Sequence, residues 1–205
     1  MGRTEETKLA LLRSAERLFA ERGVDAVSLR EIALMAGQRN HSAALYHFTD
    51  KRELLEQLLH RHSGAIDEGF VPAIENLRAE GRESLEELVG LLVRPLVAKL
   101  DDEDGGAEYL IICAELSISR TFPTTALRAS NGPGAAELTR RLLVHMGDVP
   151  PMLVPLRMLR TATVLFGSLA AYQRLRLAGL FLPRDEFGAD LEASLVAMLR
   201  AGPPR

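Results

Sequence analysis

The chain has 205 residues, 47% apolar and 26% charged, with a formal net charge of −3, which excludes a disordered chain and a molecule that is basic throughout. The length suits one sizeable domain, or a small one joined to a larger one. The single cysteine, Cys113, excludes an internal disulfide and any cysteine-rich zinc site.

Charge is unevenly spread. Residues 1–62 carry ten Lys/Arg against nine Asp/Glu and four of the five histidines, whereas 63–205 carry fifteen against nineteen. Nucleic-acid contacts confined to one small region would give such a split. The opening Met1-Gly2-Arg3-Thr4-Glu5-Glu6 is polar, lacks an apolar signal core and breaks the myristoylation pattern at Glu6. The longest uncharged stretch, 161–173, falls short of the roughly 20 residues of a spanning helix. A cytoplasmic protein with no membrane partner is expected.

Helical periodicity runs the whole length, and no alternating β-branched run appears. The spacing of Leu11, Leu12, Ala15, Leu18 and Phe19 predicts a first helix over 4–22, stopped at Gly23. Ser28-Leu29-Arg30-Glu31 is a capping box that starts a second helix of about two turns, ending at Ala36-Gly37. A third short helix fits 40–46, and Asp50 caps a fourth. Longer helices follow at 51–79, 83–103, 106–119, 133–146, 152–179 and 184–201, with Pro72, Pro95 and Pro155 expected to kink or break them. The class is all-α: a head over 1–50 and a helical bundle over 51–205.

Two short helices joined by a tight turn and packed on a longer one describe a helix-turn-helix. Its second helix must fit a major groove about 12 Å wide, so it needs small or hydrogen-bonding side chains. The run Gln38-Arg39-Asn40-His41-Ser42-Ala43-Ala44-Leu45-Tyr46-His47 meets that demand and carries no acidic residue to repel phosphate. Leu45 and Phe48 can face inward against Leu29, Ile32 and Ala33.

Leu12-x-x-Ala15-x-x-Leu18-Phe19-x-x-x-Gly23, Ser28-x-x-Glu31-Ile32-Ala33-x-x-Ala36-Gly37 and Tyr46-His47-Phe48-x-Asp50-Lys51-x-x-Leu54-Leu55 together resemble the N-terminal domain of the tetracycline-repressor (TetR) family. The resemblance covers residues 8–58. It departs in one place: Leu45 stands where the family usually has Tyr, and the Gly37-to-Phe48 spacing is one residue longer. The resemblance implies a sequence-specific transcriptional regulator, a repressor released from its operator by a small molecule. It implies DNA contacts from Gln38, Arg39, Asn40, His41, Ser42, Ala43, Tyr46, His47 and Lys51, the last three on phosphate. It does not imply a residue-by-base code.

The resemblance further implies a homodimer built on the last two helices, where Leu191, Leu195, Met198 and Leu199 form a stripe, and a near-palindromic double-stranded operator. It also implies an effector pocket in the bundle. Arg94, Tyr109, Cys113, Glu115, Arg120, Met158, Phe166 and Tyr172 are candidates to line it, being polar or soft in apolar surroundings. No cofactor, metal or catalytic residue is expected. His60 and His62, two apart on a helix, make a poor metal pair, and neither GxSxG nor a phosphate loop occurs. The rival readings are a helical interaction module that does not read DNA, and a small helical enzyme.

Overall fold

The computed structural model describes residues 3–38, 46–119, 132–146, 149–180 and 182–201, and among these it contains helices and no strand. The elements are α1 (Arg3–Arg22), α2 (Leu29–Met35), α3 (Lys51–Ala79), α4 (Leu85–Ala98), α5 (Gly106–Ile118), α6 (Pro133–His145), α7 (Val154–Leu177) and α8 (Arg184–Arg200). Single 3-10 turns, Lys99–Asp101 and Pro151–Leu153, end α4 and lead into α7. The expected third helix at 40–46 lies outside the described residues except for Tyr46, which is helical together with His47.

Local chemistry sets the boundaries. Gly23 adopts φ +85° after α1, a conformation that costs glycine little and other residues more. Ser28 and Glu31 form the reciprocal capping box at α2. Backbone and hydroxyl hydrogen bonds from Ser28, and Arg22 beside it, hold the Glu31 carboxyl down at about 2. Its folded value lies below the unfolded one, so this contribution is full above the ordinary carboxylate range and fades as pH falls toward 2. Ser28→Ala should lower stability by about 1 kcal/mol, read by urea denaturation at neutral pH; an unchanged midpoint would contradict the cap. Asp50 and Ser84 cap α3 and α4 in the same way, accepting from Glu53 N at 2.8 Å and Glu87 N at 3.2 Å.

The prolines behave differently from expectation. α3 runs through Pro72 and α4 through Pro95 without breaking. Buried Phe70, Ile74 and Leu77 hold the first, and Val93, Leu96 and Val97 the second, so packing offsets the missing N–H bond. Pro155 sits in the first turn of α7, where no N–H is needed, and starts that helix.

One apolar core joins the head to the bundle across residue 50. Leu11, Ala15, Phe19, Ile32, Phe48, Leu54, Leu55 and Leu58 are all at most 1% exposed, so the start of α3 is embedded in the head's own core. In the bundle α5 packs along α7, α3 along α6, and α8 against α4 and α7; α5 also packs against α1. This packing corrects the expected interface stripe. Leu191, Leu195 and Leu199 are buried inside the protomer and Met198 is packed against its core. The outward face of α8 instead carries the small residues Ala189, Ala193 and Ala197.

Candidate DNA-reading segment and effector cavity

Of the residues expected on DNA, Arg39, Asn40, His41, Ser42 and Ala43 lie outside the described residues. Gln38 follows the left-handed Gly37, and its backbone N–H closes on Ala33 O at 2.9 Å, ending the turn after α2. Tyr46 is 80% exposed, with its ring edge-on to His47 at 5.2 Å, while Phe48 beyond them is buried. The core thus fixes this end of the segment and leaves Tyr46 outward.

Lys51 has a part that the sequence did not indicate. Its ammonium turns toward the loop between α1 and α2 and donates to Val24 O at 2.9 Å, Val27 O at 3.1 Å and Asp25 O at 3.4 Å. Three carbonyls match the three donors of an ammonium, so Lys51 ties the start of α3 to the turn that carries α2. No spacing rule links positions 24 and 51, and no sequence signal marks the pair.

The bundle grips the same turn from the other side. Glu115 on α5, expected in the pocket, accepts the Val24 N–H at 2.8 Å, and its carboxylate lies against Gly23. Burial pushes its carboxyl above the ordinary value, and Asp25 adds to this; the Val24 N–H and Lys51 pull the other way. An acid raised on folding is most favourable when protonated, so its contribution declines as pH rises through the folded value. Glu115→Gln keeps the acceptor without the charge and should leave neutral-pH stability unchanged or slightly higher. Glu115→Ala leaves the Val24 N–H unpaired and should cost about 1–2 kcal/mol. Thermal melts of both variants at pH 7 test this, and equal losses would contradict it.

A second junction lies at the other end of α5. Glu16 of α1, 2% exposed, is bonded by Arg61 Nη1 at 2.6 Å and His62 Nε2 at 2.9 Å, both from α3. Arg61 also pairs with Asp104, which Arg13 Nε reaches at 2.9 Å. Gly105, at φ +89°, lies hard against the Glu16 carboxylate, leaving no room for a side chain. The His62 ring stacks on Tyr109 at 4.9 Å.

Tyr109 in turn lines a partly open cavity of about 180 Å³ between α3, α4, α5, α6 and α7. Met158 and Phe166 line it too, among leucines and Phe70. Asp67, Ser63, Thr139 and Thr161 supply its polar wall and were not singled out in the sequence, because a polar residue on a mixed helix face carries no distinguishing signal. The other candidates lie elsewhere. Arg94 pairs with Glu192 at 3.0 Å on the surface, where its side chain is 60% exposed. Tyr172 donates to Leu182 O at 2.8 Å and stacks on Phe187 at 4.2 Å, fastening α7 to α8. Arg120 lies outside the described residues. Cys113 is buried behind Tyr109, its thiol pushed up to about 12 by burial. A thiol-reactive disulfide reagent should therefore leave Cys113 unmodified until the protein is denatured; stoichiometric labelling of the native protein would contradict its burial. Among the described residues no cluster of three His, Cys, Asp or Glu side chains is placed to hold a metal ion.

Comparison with known proteins places this geometry in context. Residues 11–58 match the family model described as bacterial regulatory proteins, tetR family. Over 56 residues the chain is 41% identical to the HTH-type transcriptional repressor BepR of Brucella suis biovar 1 (strain 1330), a stretch covering 27% of this chain and 26% of that protein. The match thus spans about a quarter of the curated relative's length. Along nearly its whole length the chain shares its fold with two solved TetR family transcription regulators. One, from Marinobacter aquaeolei VT8, superposes with TM-score 0.60 at 16% identity, covering 96% of each chain. The other, a putative regulator from Shewanella sp. PV-4, superposes with TM-score 0.62 at 17% identity, covering 94% of this chain and 95% of that one.

Proposed function

We propose that this chain, whose residues 11–58 match the model of bacterial regulatory proteins of the tetR family, is a cytoplasmic, dimeric transcriptional repressor of that family that leaves its operator when a small molecule fills the bundle cavity. It is a binding protein without catalytic chemistry. The observation that carries this reading is the head itself: residues 11–58 match the family's DNA-binding segment, and α2 is capped, core-packed and tied to α3 through Lys51. A reading helix needs that rigid seat, because base contacts discriminate only when their geometry is fixed.

Gln38, Arg39, Asn40, His41, Ser42 and Ala43 are the base-edge candidates, where Arg suits guanine and Asn adenine. Tyr46 and His47 are suited to phosphate. Lys51, whose ammonium faces three carbonyls, supports the site by positioning and meets phosphate only if those bonds open.

The partner is a second copy. The helix Pro151–Leu177 is long and apolar enough by length and composition to cross a membrane, yet only 17% of its most apolar window is buried in the protomer. Thr161, Leu165, Leu169 and Tyr172 face the bundle, whereas Leu156, Val164 and Leu175 point outward at 38–46% exposure. A helix with one face packed in a core and Arg157, Arg160, Arg174 and Arg176 along it fits a subunit interface better than lipid.

Occupancy of the cavity would act on the head through α5. Tyr109 lines the cavity, stacks on His62 and so adjoins Glu16 of α1, while Glu115 further along α5 holds the α1–α2 turn. A ligand preferring one placement of α5 shifts the population of head placements. Coupling of about 1–3 kcal/mol would be usual, and operator DNA must weaken ligand binding by the same factor. The test is selection of bound fragments from the source genome by the purified protein. Fragments sharing one inverted repeat support the reading; recovery without any common sequence, or no recovery at low salt, overturns it.

A further inference from the structure

The wall of the bundle cavity restricts what can enter it. Asp67 is the only Asp, Glu, Lys, Arg or His side chain there among the described residues, and each of its oxygens has a partner: Oδ1 accepts the Ala135 N–H at 2.7 Å and Oδ2 the Gly134 N–H at 3.1 Å. Asp67 thus serves as a cap supplied by α3 to the N-terminus of α6, where free N–H groups and the helix dipole favour a carboxylate. The Thr161 hydroxyl donates to Arg157 O at 2.9 Å, and Tyr109 is buried, as is Cys113 one turn further along α5. Ser63 also has a partner. Thr139, half-buried, is the remaining hydroxyl.

An anionic ligand would meet no cation among the described residues of this wall and would lie against Asp67. A cationic one would give up its hydration for a single carboxylate, each of whose oxygens already accepts an N–H and whose charge the N-terminus of α6 partly offsets, so the pairing gained there does not match the hydration lost. The rest of the wall is leucine, isoleucine, alanine, methionine and phenylalanine. A closed apolar cavity of about 150 Å³ lined by Leu, Ile and Phe takes benzene, so one of about 180 Å³ that opens partly to solvent has room for a substituted ring. Resting on the reading of this cavity as the effector site, we propose that it binds a compact, uncharged, mainly apolar molecule of about one substituted ring, with at most one hydroxyl or carbonyl, which Thr139 would meet.

Three para-ethylbenzenes of different charge test this on the full chain, 4-ethylphenol, 4-ethylbenzoate and 4-ethylbenzylammonium, with neutral 4-ethylbenzyl alcohol as the size control for the two ions, each titrated by calorimetry and thermal melting at pH 7. The phenol should bind and raise the melting temperature, with both ions at least about ten-fold weaker, a factor worth 1.4 kcal/mol. Ala162→Phe, which fills the cavity from α7, should abolish phenol binding. Thr139→Val, which keeps the shape, should weaken the phenol several-fold and leave 4-ethyltoluene unchanged. Either ion binding as tightly as the phenol overturns the proposal. So does no binding of any neutral probe, or phenol binding that survives in a folded Ala162→Phe protein. Operator affinity measured alongside separates the two layers. A neutral probe that binds without weakening DNA supports the ligand class and defeats the effector reading; an ion that binds and releases DNA does the reverse.

Discussion

Glu16→Ala is expected to destabilise the protein by about 3 kcal/mol, the low end of the range for removing one partner from a buried charged cluster. The substitution leaves Arg61 and His62, which converge on Glu16 at 2.6 and 2.9 Å, facing an empty space between α1 and α3. Arg61 keeps 18% side-chain exposure and its second partner Asp104, which is why the loss should not reach the top of that range. Glu16→Gln, which retains an acceptor, should cost distinctly less. Urea denaturation at pH 7 reads both, and a loss below about 1 kcal/mol for the alanine variant would show that solvent compensates the cluster. Because Glu16 belongs to the head, and His62 stacks on the cavity residue Tyr109, the same variant should weaken the link between cavity and DNA even where the protein stays folded.

The second large effect concerns assembly. Val164→Glu combined with Ala193→Glu places charges on the outward faces of α7 and α8 without disturbing a residue buried in the protomer. The double variant should sediment as the 22.5 kDa chain with unchanged helix content. Operator affinity should then fall by about 100-fold or more, because two linked heads gain an effective concentration that one head forfeits. A variant that still sediments at twice that mass, or that binds a full operator like the parent, would place the interface elsewhere.

What could be read in the sequence was what is local in it. The capping box at Ser28 and Glu31, the cap at Asp50, the stop at Gly23 and the start at Pro133 act over a few residues, and the helices they bound stand within a turn of expectation. The link between Glu16 and the pair Arg61 and His62 joins residues some forty-five positions apart, and Lys51 reaches back to carbonyls that have no side-chain signature. The apolar period of α8 shows that Leu191, Leu195 and Leu199 share a face, but not whether that face meets its own bundle or a second copy. The same ambiguity divides the cavity candidates. A polar residue in an apolar stretch signals either a ligand or a buried partner. Tyr109, Met158 and Phe166 line the cavity, whereas Glu115 and Tyr172 found backbone partners and Arg94 a surface carboxylate.

If the segment between Ser28 and Phe48 reads DNA, the protein must distinguish one DNA sequence from another. The direct measurement is fluorescence anisotropy of the purified protein on two duplexes of equal length at one physiological salt concentration, the first carrying the inverted repeat recovered from bound fragments, the second its scrambled sequence. Binding to the repeat should be tighter by about a thousand-fold or more, with the difference sharply reduced in Arg39→Ala. Equal affinity for both duplexes, with the same dependence on salt, would contradict it.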